Sequence, residues 1–160
     1  MNNGIDKITD YKSQMVRLLC DSREIRRLMS NDTYPDITTQ QLLDHYILPW
    51  EFVPDTTTEE GVFLCCEVDM QGVESPVIAT FTLQFYIICH RNLLRMPGGE
   101  TGSRVDLLTQ EVNRLFNGSN ELGLSPVGIT PFSHYIPAPN FYGRHLAFTV
   151  KDFNRFGEAP

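Results

Sequence analysis

The longest strand candidate in the sequence is Val77–His90, which reads VIATFTLQFYIICH. In its first half, Thr80, Thr82 and Gln84 alternate with apolar side chains. Such alternation is typical of an antiparallel strand that buries one face. Every residue of Tyr86–Cys89 is apolar, so we expect that end of the strand to be covered on both faces.

A helix with clear local signals follows this strand after a glycine-rich connection. Ser103 stands three residues before Asp106, which is the spacing of a capping box. Apolar residues recur on one face of the predicted helix, and a glycine follows its last turn. That face consists of Val105, Leu108, Val112, Leu115 and Phe116. We expect the helix, Ser103–Asn117, to pack this face on the sheet near Phe81 and Phe148.

The remaining segments predict helices before the strands and further strands at the end of the chain. Helical spacing begins near Asp6 and continues in short helices as far as Tyr46. Strands are predicted at Val62–Met70, Leu124–Ile129 and Arg144–Phe153. Because helices and strands do not alternate strictly, the sequence predicts an α+β fold. An antiparallel or mixed β-sheet would be packed by a long helix, with a helical N-terminal segment.

The length of the chain indicates its domain organisation, and its net charge argues against some classes of binding partner. The 160 residues favour a single domain, 1–160, with a helical segment at 1–48 and an α+β body at 49–160. The net charge of −7 argues against tight binding to nucleic acids or to anionic membranes. The chain lacks the pattern of a secretory signal and the roughly 20 apolar residues of a membrane span, so a cytoplasmic location is expected.

Cysteine and histidine are the natural candidates for chemistry. The cysteines are Cys20, Cys65, Cys66 and Cys89, and their spacing matches no CxxC framework. We expect them to be small buried apolar residues, and neighbours in a strand to face apart. A zinc site formed by Cys65, Cys89 and His90 is the alternative, although it lacks the paired spacing of a zinc knuckle.

No constellation in the sequence predicts catalysis. The glycine-rich stretch Pro97–Ser103 precedes a helix, but a phosphate loop also requires a lysine, and here Glu100 would repel phosphate. No serine stands in a nucleophile elbow, and Cys89 would face away from His90 in a strand. We therefore expect a protein that is not an enzyme and that holds no cofactor and no metal.

Two short motifs carry a resemblance to a known group of proteins. Arg104-x-Asp106 opens the helix RVDLLTQEVNRLFNG, and Tyr142-Gly143-Arg144 lies in the closing segment FYGRHLAFTVKDFN. With the helical N-terminus, the strand pair and the glycine-rich loop, this pattern resembles small head–tail joining proteins of long-tailed bacteriophages. It is most similar to their tail terminator, or tail completion, proteins. The resemblance covers most of the chain after Gly61.

The resemblance implies a structural virion protein. Tail terminators form a hexameric ring that caps the growing tail tube and then docks to the head connector. The implied partners are further copies of the chain, the tail tube protein and the head-closure or connector protein. DNA would only pass through the lumen, and the protein would be assembled in the host cytoplasm into the tail or neck of the virion.

Other functions stay open at this point. The helical stretch Ser22–Tyr46 is longer than the simplest terminators need, which leaves a head-closure or neck protein as an alternative. A tail tube protein of the same virion is a second alternative. A small-molecule-binding α+β domain or an enzyme is the third, and polar residues converging in one pocket would distinguish it.

The loop Asn92–Gly102 is the candidate contact with a neighbouring subunit or the tail tube, because a ring needs two different patches that match head to tail. Its Pro-Gly-Gly core has little means of packing on its own domain. The candidate interface residues are Arg91, Leu93, Leu94, Arg95, Met96, Gly98, Gly99 and Glu100. A free loop would leave the apolar ones in water, and the arginines would pair with an acidic neighbour. The alternative is that Leu93 and Leu94 tuck under the domain's own helix.

Overall fold

The N-terminal part of the protein is helical. The computed structural model describes residues 4–32, 35–54, 60–131 and 133–153. Helix α1 spans Gly4–Asp21 and helix α2 spans Arg23–Met29. Helix α3, Thr39–Gln41, continues directly into a π-helical turn at Leu42–Tyr46. The predicted helical segment is therefore present up to Tyr46.

The described part of the chain contains one sheet of six strands. The strands are β1 (Ile47–Leu48), β2 (Val62–Ser75), β3 (Ile78–His90), β4 (Gly128–Ile129), β5 (Ser133–Tyr135) and β6 (Phe141–Phe153). Their order is β1-β2-β3-β6-β4, and β5 also pairs with β6. The β1–β2 pair is parallel and the other pairs are antiparallel. The predicted α+β class with a mixed sheet is confirmed.

Helix α4, Arg104–Phe116, has the predicted boundaries and cap. The hydroxyl of Ser103 accepts a hydrogen bond of 3.1 Å from the backbone N–H of Asp106. The carboxylate of Asp106 in turn accepts one of 3.1 Å from the backbone N–H of Ser103. Gly118 follows the helix with φ of 76°, a left-handed conformation that glycine adopts without strain.

Helices α1 and α4 cover one face of the sheet. The ring of Phe116 on α4 packs on Phe85 and Phe148, with centroids 4.6 and 6.1 Å apart. The packing of α4 near Phe148 is thus as predicted. Phe81 belongs to the same core as the buried face of α4, and its ring lies 5.4 Å from that of Tyr11 on α1. The main core joins α1, α2 and α4 to the sheet, so residues from 1–48 and from 49–160 share it.

A second, smaller core lies on the opposite face of the sheet. It consists of Leu48, Phe63, Cys65, Ile88 and Phe141. These residues cover the end of the sheet where β2 begins and β3 ends. The prediction that β3 is buried on both faces near Cys89 is therefore confirmed.

The first predicted strand is longer than expected. β2 continues to Ser75, across residues that the sequence predicted as a connection. Its register with β3 shifts between Met70 and Gly72 and again between Val73 and Ser75. Such irregularities accommodate an extra residue and let a polar, glycine-containing segment remain paired.

The last third of the chain also departs from the prediction. β6 begins at Phe141 and not at Arg144. Within Leu124–Ile129, only Gly128–Ile129 is a strand. β1 and β5 were not predicted at all. They are two and three residues long, and only their pairing with β2 and β6 makes them strands.

Candidate functional site

The loop Asn92–Gly102, which the sequence predicts as a contact with a neighbouring subunit or the tail tube, is bound to its own domain. It forms two 3₁₀ turns, Arg91–Leu93 and Pro97–Gly99. The backbone N–H of Arg104 donates to the carbonyl oxygen of Leu94 at 2.8 Å, and Arg95 forms an isolated bridge with Ser103. The segment before the glycine-rich stretch is thus bound to the segment after it, through Leu94 with Arg104 and Arg95 with Ser103.

The apolar residues of this loop pack inside the domain. Leu93 and Leu94 are half-buried against the main core, and Met96 is buried. The carboxylate of Glu100 accepts two hydrogen bonds from the guanidinium of Arg27, at 2.8 and 3.0 Å. The expectation that a free loop leaves these apolar side chains in water is wrong, and the alternative, that Leu93 and Leu94 tuck under the domain, describes the structure.

Five of the predicted interface residues remain exposed. They are Arg91, Arg95, Gly98, Gly99 and Glu100. Neither arginine has a carboxylate partner among the described residues. Their contact with a neighbouring molecule stays a prediction.

The two motifs that carry the phage resemblance meet in the fold. The guanidinium of Arg144 donates to the carboxylate of Asp106 at 2.9 Å, which joins β6 to the N-terminus of α4. Hydrogen bonds from Ser103 and from Arg144 hold the pKa of Asp106 below its ordinary value. A side chain at Gly143 would overlap the carbonyl oxygen of Ile87 on β3. The motifs therefore act as a structural junction.

Arg104 forms a buried clasp that the sequence did not reveal. Its side chain is 3% exposed. The Nε atom donates to the carbonyl oxygen of Leu93 at 2.7 Å, and Nη1 donates to the carbonyl oxygens of Ser30, at 2.9 Å, and of Leu28. Burial lowers the pKa of the guanidinium. The acceptors are backbone carbonyls far away in the sequence, so no pattern of residue types could indicate them.

The face of the sheet opposite the main core carries an aromatic and polar cluster. The rings of Tyr86 and His145 stack with centroids 4.6 Å apart, and Tyr135 lies 5.2 Å from Tyr86. The Nε2 atom of His145 lies 2.7 Å from Oε1 of Gln84, and the hydroxyl of Tyr135 donates to Glu51 at 2.6 Å. Burial lowers the pKa of His145, so its ring is neutral at pH 7. These side chains therefore hold one another in place through ring contacts and hydrogen bonds.

The cysteines are buried and free. Cys66 and Cys89 belong to the main core, whereas Cys65 belongs to the small core on the opposite face. The sheet therefore separates Cys65 from Cys89, and the zinc site proposed from these two residues and His90 is wrong. Burial raises the pKa of the Cys65 thiol to about 11 and that of Cys89 to about 12. Both thiols remain protonated at neutral pH and are weak nucleophiles.

The described ranges contain neither a cluster of metal-binding side chains nor a membrane-spanning helix. Within them, no group of three His, Cys, Asp or Glu side chains lies close enough to hold a metal ion. No helix there has the length and apolar character needed to cross a membrane.

Exposed apolar side chains gather where β2 turns into β3. We call this surface the hairpin end, and its residues are Met70, Val73, Val77 and Phe153. Val77 lies in the turn itself and is 58% exposed. Ile88 of the small core lies eleven positions after Val77, so at about 3.3 Å per residue the hairpin end is roughly 35 Å from that core. Val73 pairs with Ala79 and Phe153 pairs with Ile78, so this end of the sheet exposes apolar side chains on both faces, and we take it as a candidate interaction surface.

A mainly apolar groove of about 610 Å³ runs between α1 and the helical turn that contains Leu43. We call it the α1 groove. Apolar atoms of Val16, Cys20, Leu43 and Pro49 line it. Lys12, Ser13, Arg17 and Asp21 of α1 also border the groove. It holds no pair of groups suited to nucleophilic or acid–base catalysis.

A second groove, beside α2, is polar. Arg23, Arg26 and Arg27 border it. Arg26 donates to the hydroxyl of Thr39 at 2.7 Å, and Arg27 is bound by Glu24 and Glu100. Most of the cationic charge of this groove is therefore engaged within the domain.

The family model described as YomW matches residues 15–150, which is most of the chain. No curated protein matches the chain. YomW is a Bacillus phage-region protein, which indicates a phage-associated origin. Because the family model covers most of its length, the chain belongs to the YomW family.

Proposed function

We propose that this chain is a tail terminator, a structural virion protein that forms a ring at the head-proximal end of a phage tail. The ring ends the tail tube and joins it to the head connector. The phage-derived family and the motif resemblance support this proposal. The observation that carries it is the presence of two different apolar surfaces on one chain, the hairpin end and the α1 groove.

Two different surfaces favour a ring over a two-fold dimer. A two-fold contact uses the same patch on both subunits, whereas a head-to-tail contact joins two unlike patches and closes when the rotation allows. The hairpin end projects apolar side chains, and the α1 groove is concave. A projection that enters a groove joins two unlike surfaces, so head-to-tail association fits this pair.

The proposal includes the partners and the place of action. The ring, which we expect to be a hexamer, would contact the tail tube protein on one side and a head-closure or connector protein on the other. It would be assembled in the host cytoplasm and act in the virion without catalysis. The net charge of −7 suits a lumen through which DNA passes without binding.

A head-closure or neck protein is the alternative that a specific observation favours. Helices α1 and α2 and the helical segment Thr39–Tyr46 precede the sheet body and take part in its core. A protein with this much helix has an additional surface that a connector can contact. Both functions need a ring, so oligomeric state does not separate them.

Deleting the gene from its phage separates these functions by the particles that accumulate. A missing terminator leaves tail tubes that grow beyond the normal length and do not attach to heads. A missing head-closure protein leaves tails of normal length and heads that lose DNA, and a missing tube protein leaves no tubes. Electron microscopy of the lysate distinguishes the outcomes. Normal, infectious particles would refute all three functions.

A further inference from the structure

The hairpin end and the α1 groove have complementary shape and chemistry. We propose that the hairpin end of one copy inserts into the α1 groove of the next copy. This inference rests on the proposed ring and assigns the surfaces through which its subunits meet. The occupant of the groove is thus a second copy of this chain.

The hairpin end is a rigid projection. The hydroxyl oxygen of Ser75 accepts hydrogen bonds from the backbone N–H groups of Val77, at 3.4 Å, and Ile78, at 3.2 Å. The turn backbone is therefore held while the side chain of Val77 stays in water. An apolar group that is already ordered loses little conformational freedom on binding, which favours its use as an anchor.

The α1 groove offers a matching apolar surface. Leu43 borders it and is 42% exposed, and Val16 is only half-buried. The volume of about 610 Å³ accommodates several aliphatic side chains. Burial of Val77 and Val73 against these residues would remove apolar surface of both copies from water.

The charges around the two surfaces are also complementary. Arg17 and Asp21 lie one helical turn apart at the groove, and neither has a hydrogen-bond or ion-pair partner among the described residues. At the hairpin end, Glu74 and Lys151 form an exposed ion pair of 2.8 Å. Exposed pairs contribute little, so both groups can bind further partners. Glu74 then faces Arg17 of the neighbouring copy, and Lys151 faces Asp21.

Both surfaces are exposed in the same copy, so the hairpin end does not fill its own groove. A copy with one projection and one groove binds two neighbours, and repetition of this contact generates a ring or a filament. Association through two identical hairpin ends would instead bring Glu74 of each copy together and produce a two-fold dimer.

Two variants test the contact from its two sides. Val77→Asp places a charge on the projection, and aspartate is well suited to a turn. Ser13→Glu places a carboxylate in the groove, where it also pairs with Arg17 four residues later on α1. Ile136→Asp is the matched control, because Ile136 is an exposed apolar residue outside both surfaces. Circular dichroism and thermal melting verify that every variant is folded.

The expected readout is the native mass over a concentration series. Wild type and Ile136→Asp assemble, whereas Val77→Asp and Ser13→Glu are single subunits. An equal mixture of these two variants forms dimers only, because the intact projection of one enters the intact groove of the other. The charge reversals Arg17→Glu and Glu74→Arg each weaken assembly at least tenfold, and the double variant regains it.

The outcomes that overturn the inference differ from those that overturn the proposed function. If folded Val77→Asp and Ser13→Glu assemble like wild type, the contact is wrong and the ring stands. If both are monomers but their mixture forms no dimer, the head-to-tail contact is wrong. If wild type itself stays monomeric at every concentration, both the proposed ring and this contact are refuted.

Discussion

Replacing Arg104 with methionine removes the clasp between three separate segments of the fold. The guanidinium of Arg104 is 3% exposed and donates to carbonyl oxygens of Leu28, Ser30 and Leu93. Leu28 lies in the last turn of α2, Ser30 caps that helix, and Leu93 lies in the loop after β3. Methionine fills a similar volume but donates no hydrogen bond, so the three carbonyls lose their donor.

The expected loss of stability follows from these three bonds. Hydrogen bonds from a charged group contribute about 1.5–3 kcal/mol each. The desolvation of the buried guanidinium, which lowers its pKa, opposes them. We expect the free energy of unfolding of Arg104→Met to fall by about 3–5 kcal/mol, because three carbonyl oxygens lose their donor while the desolvation cost of the guanidinium is also removed. For a chain of 160 residues, this loss corresponds to a decrease in Tm of roughly 6–20 °C.

Urea unfolding followed by circular dichroism measures this loss. Arg95→Met is the matched control, because Arg95 is exposed in the loop after β3 and has no carboxylate partner among the described residues. Removing its exposed charge should cost less than about 1 kcal/mol. Arg104→Lys keeps the charge without the forked donors and should lie between the two. If Arg104→Met also loses less than about 1 kcal/mol, the clasp does not hold the loop.

Three further predictions concern the junction and the core. Gly143→Ala should destabilise the fold by at least about 3 kcal/mol, because the new methyl group meets the backbone of Ile87, whereas Gly128→Ala, which meets no atom within 4 Å, should be nearly neutral in the same urea titration. Leu108→Ala should cost about 2–5 kcal/mol, since its side chain is fully buried, and an unchanged unfolding midpoint would show that α4 is not core. The fold lowers the pKa of Asp106, so its carboxylate contributes to the free energy of unfolding above the ordinary pKa of about 4, and this contribution is lost as the pH falls below that value. Asp106→Asn should therefore be less stable than wild type at pH 7 and equally stable in acid. A constant difference in stability between pH 7 and pH 2 would contradict this.

Local signals explain why α4 could be predicted with its boundaries. The cap at Ser103, the apolar face and Gly118 lie within one short segment and determine the helix without help from the rest of the chain. The burial of β3 on both faces near Cys89 could also be predicted, because every residue of Tyr86–Cys89 is apolar and neither face of this stretch is polar.

Long-range pairing explains most of what the sequence did not predict. The segment from Gln71 to Ser75 contains glycine and charge, yet the backbone of β3 holds it as a strand. β1 and β5 are too short to carry a pattern, and their partners in the sheet define them. The motifs Arg104-x-Asp106 and Tyr142-Gly143-Arg144 were visible as motifs, but only the fold shows that Asp106 and Arg144 bind each other.

The same distinction decides which surface is the better candidate for assembly. The loop after β3 has apolar residues and glycines, so the sequence favours it, but Arg104 holds its backbone and Met96 is buried. The turn at Val77 has a polar, proline-containing sequence, and yet its apolar side chain remains in water on a backbone fixed by Ser75. An exposed apolar group on a rigid support retains its full burial energy for a partner, whereas a group already in the core has none left to contribute. For this reason the hairpin end, and not the apolar part of the loop, is the surface on which assembly should depend.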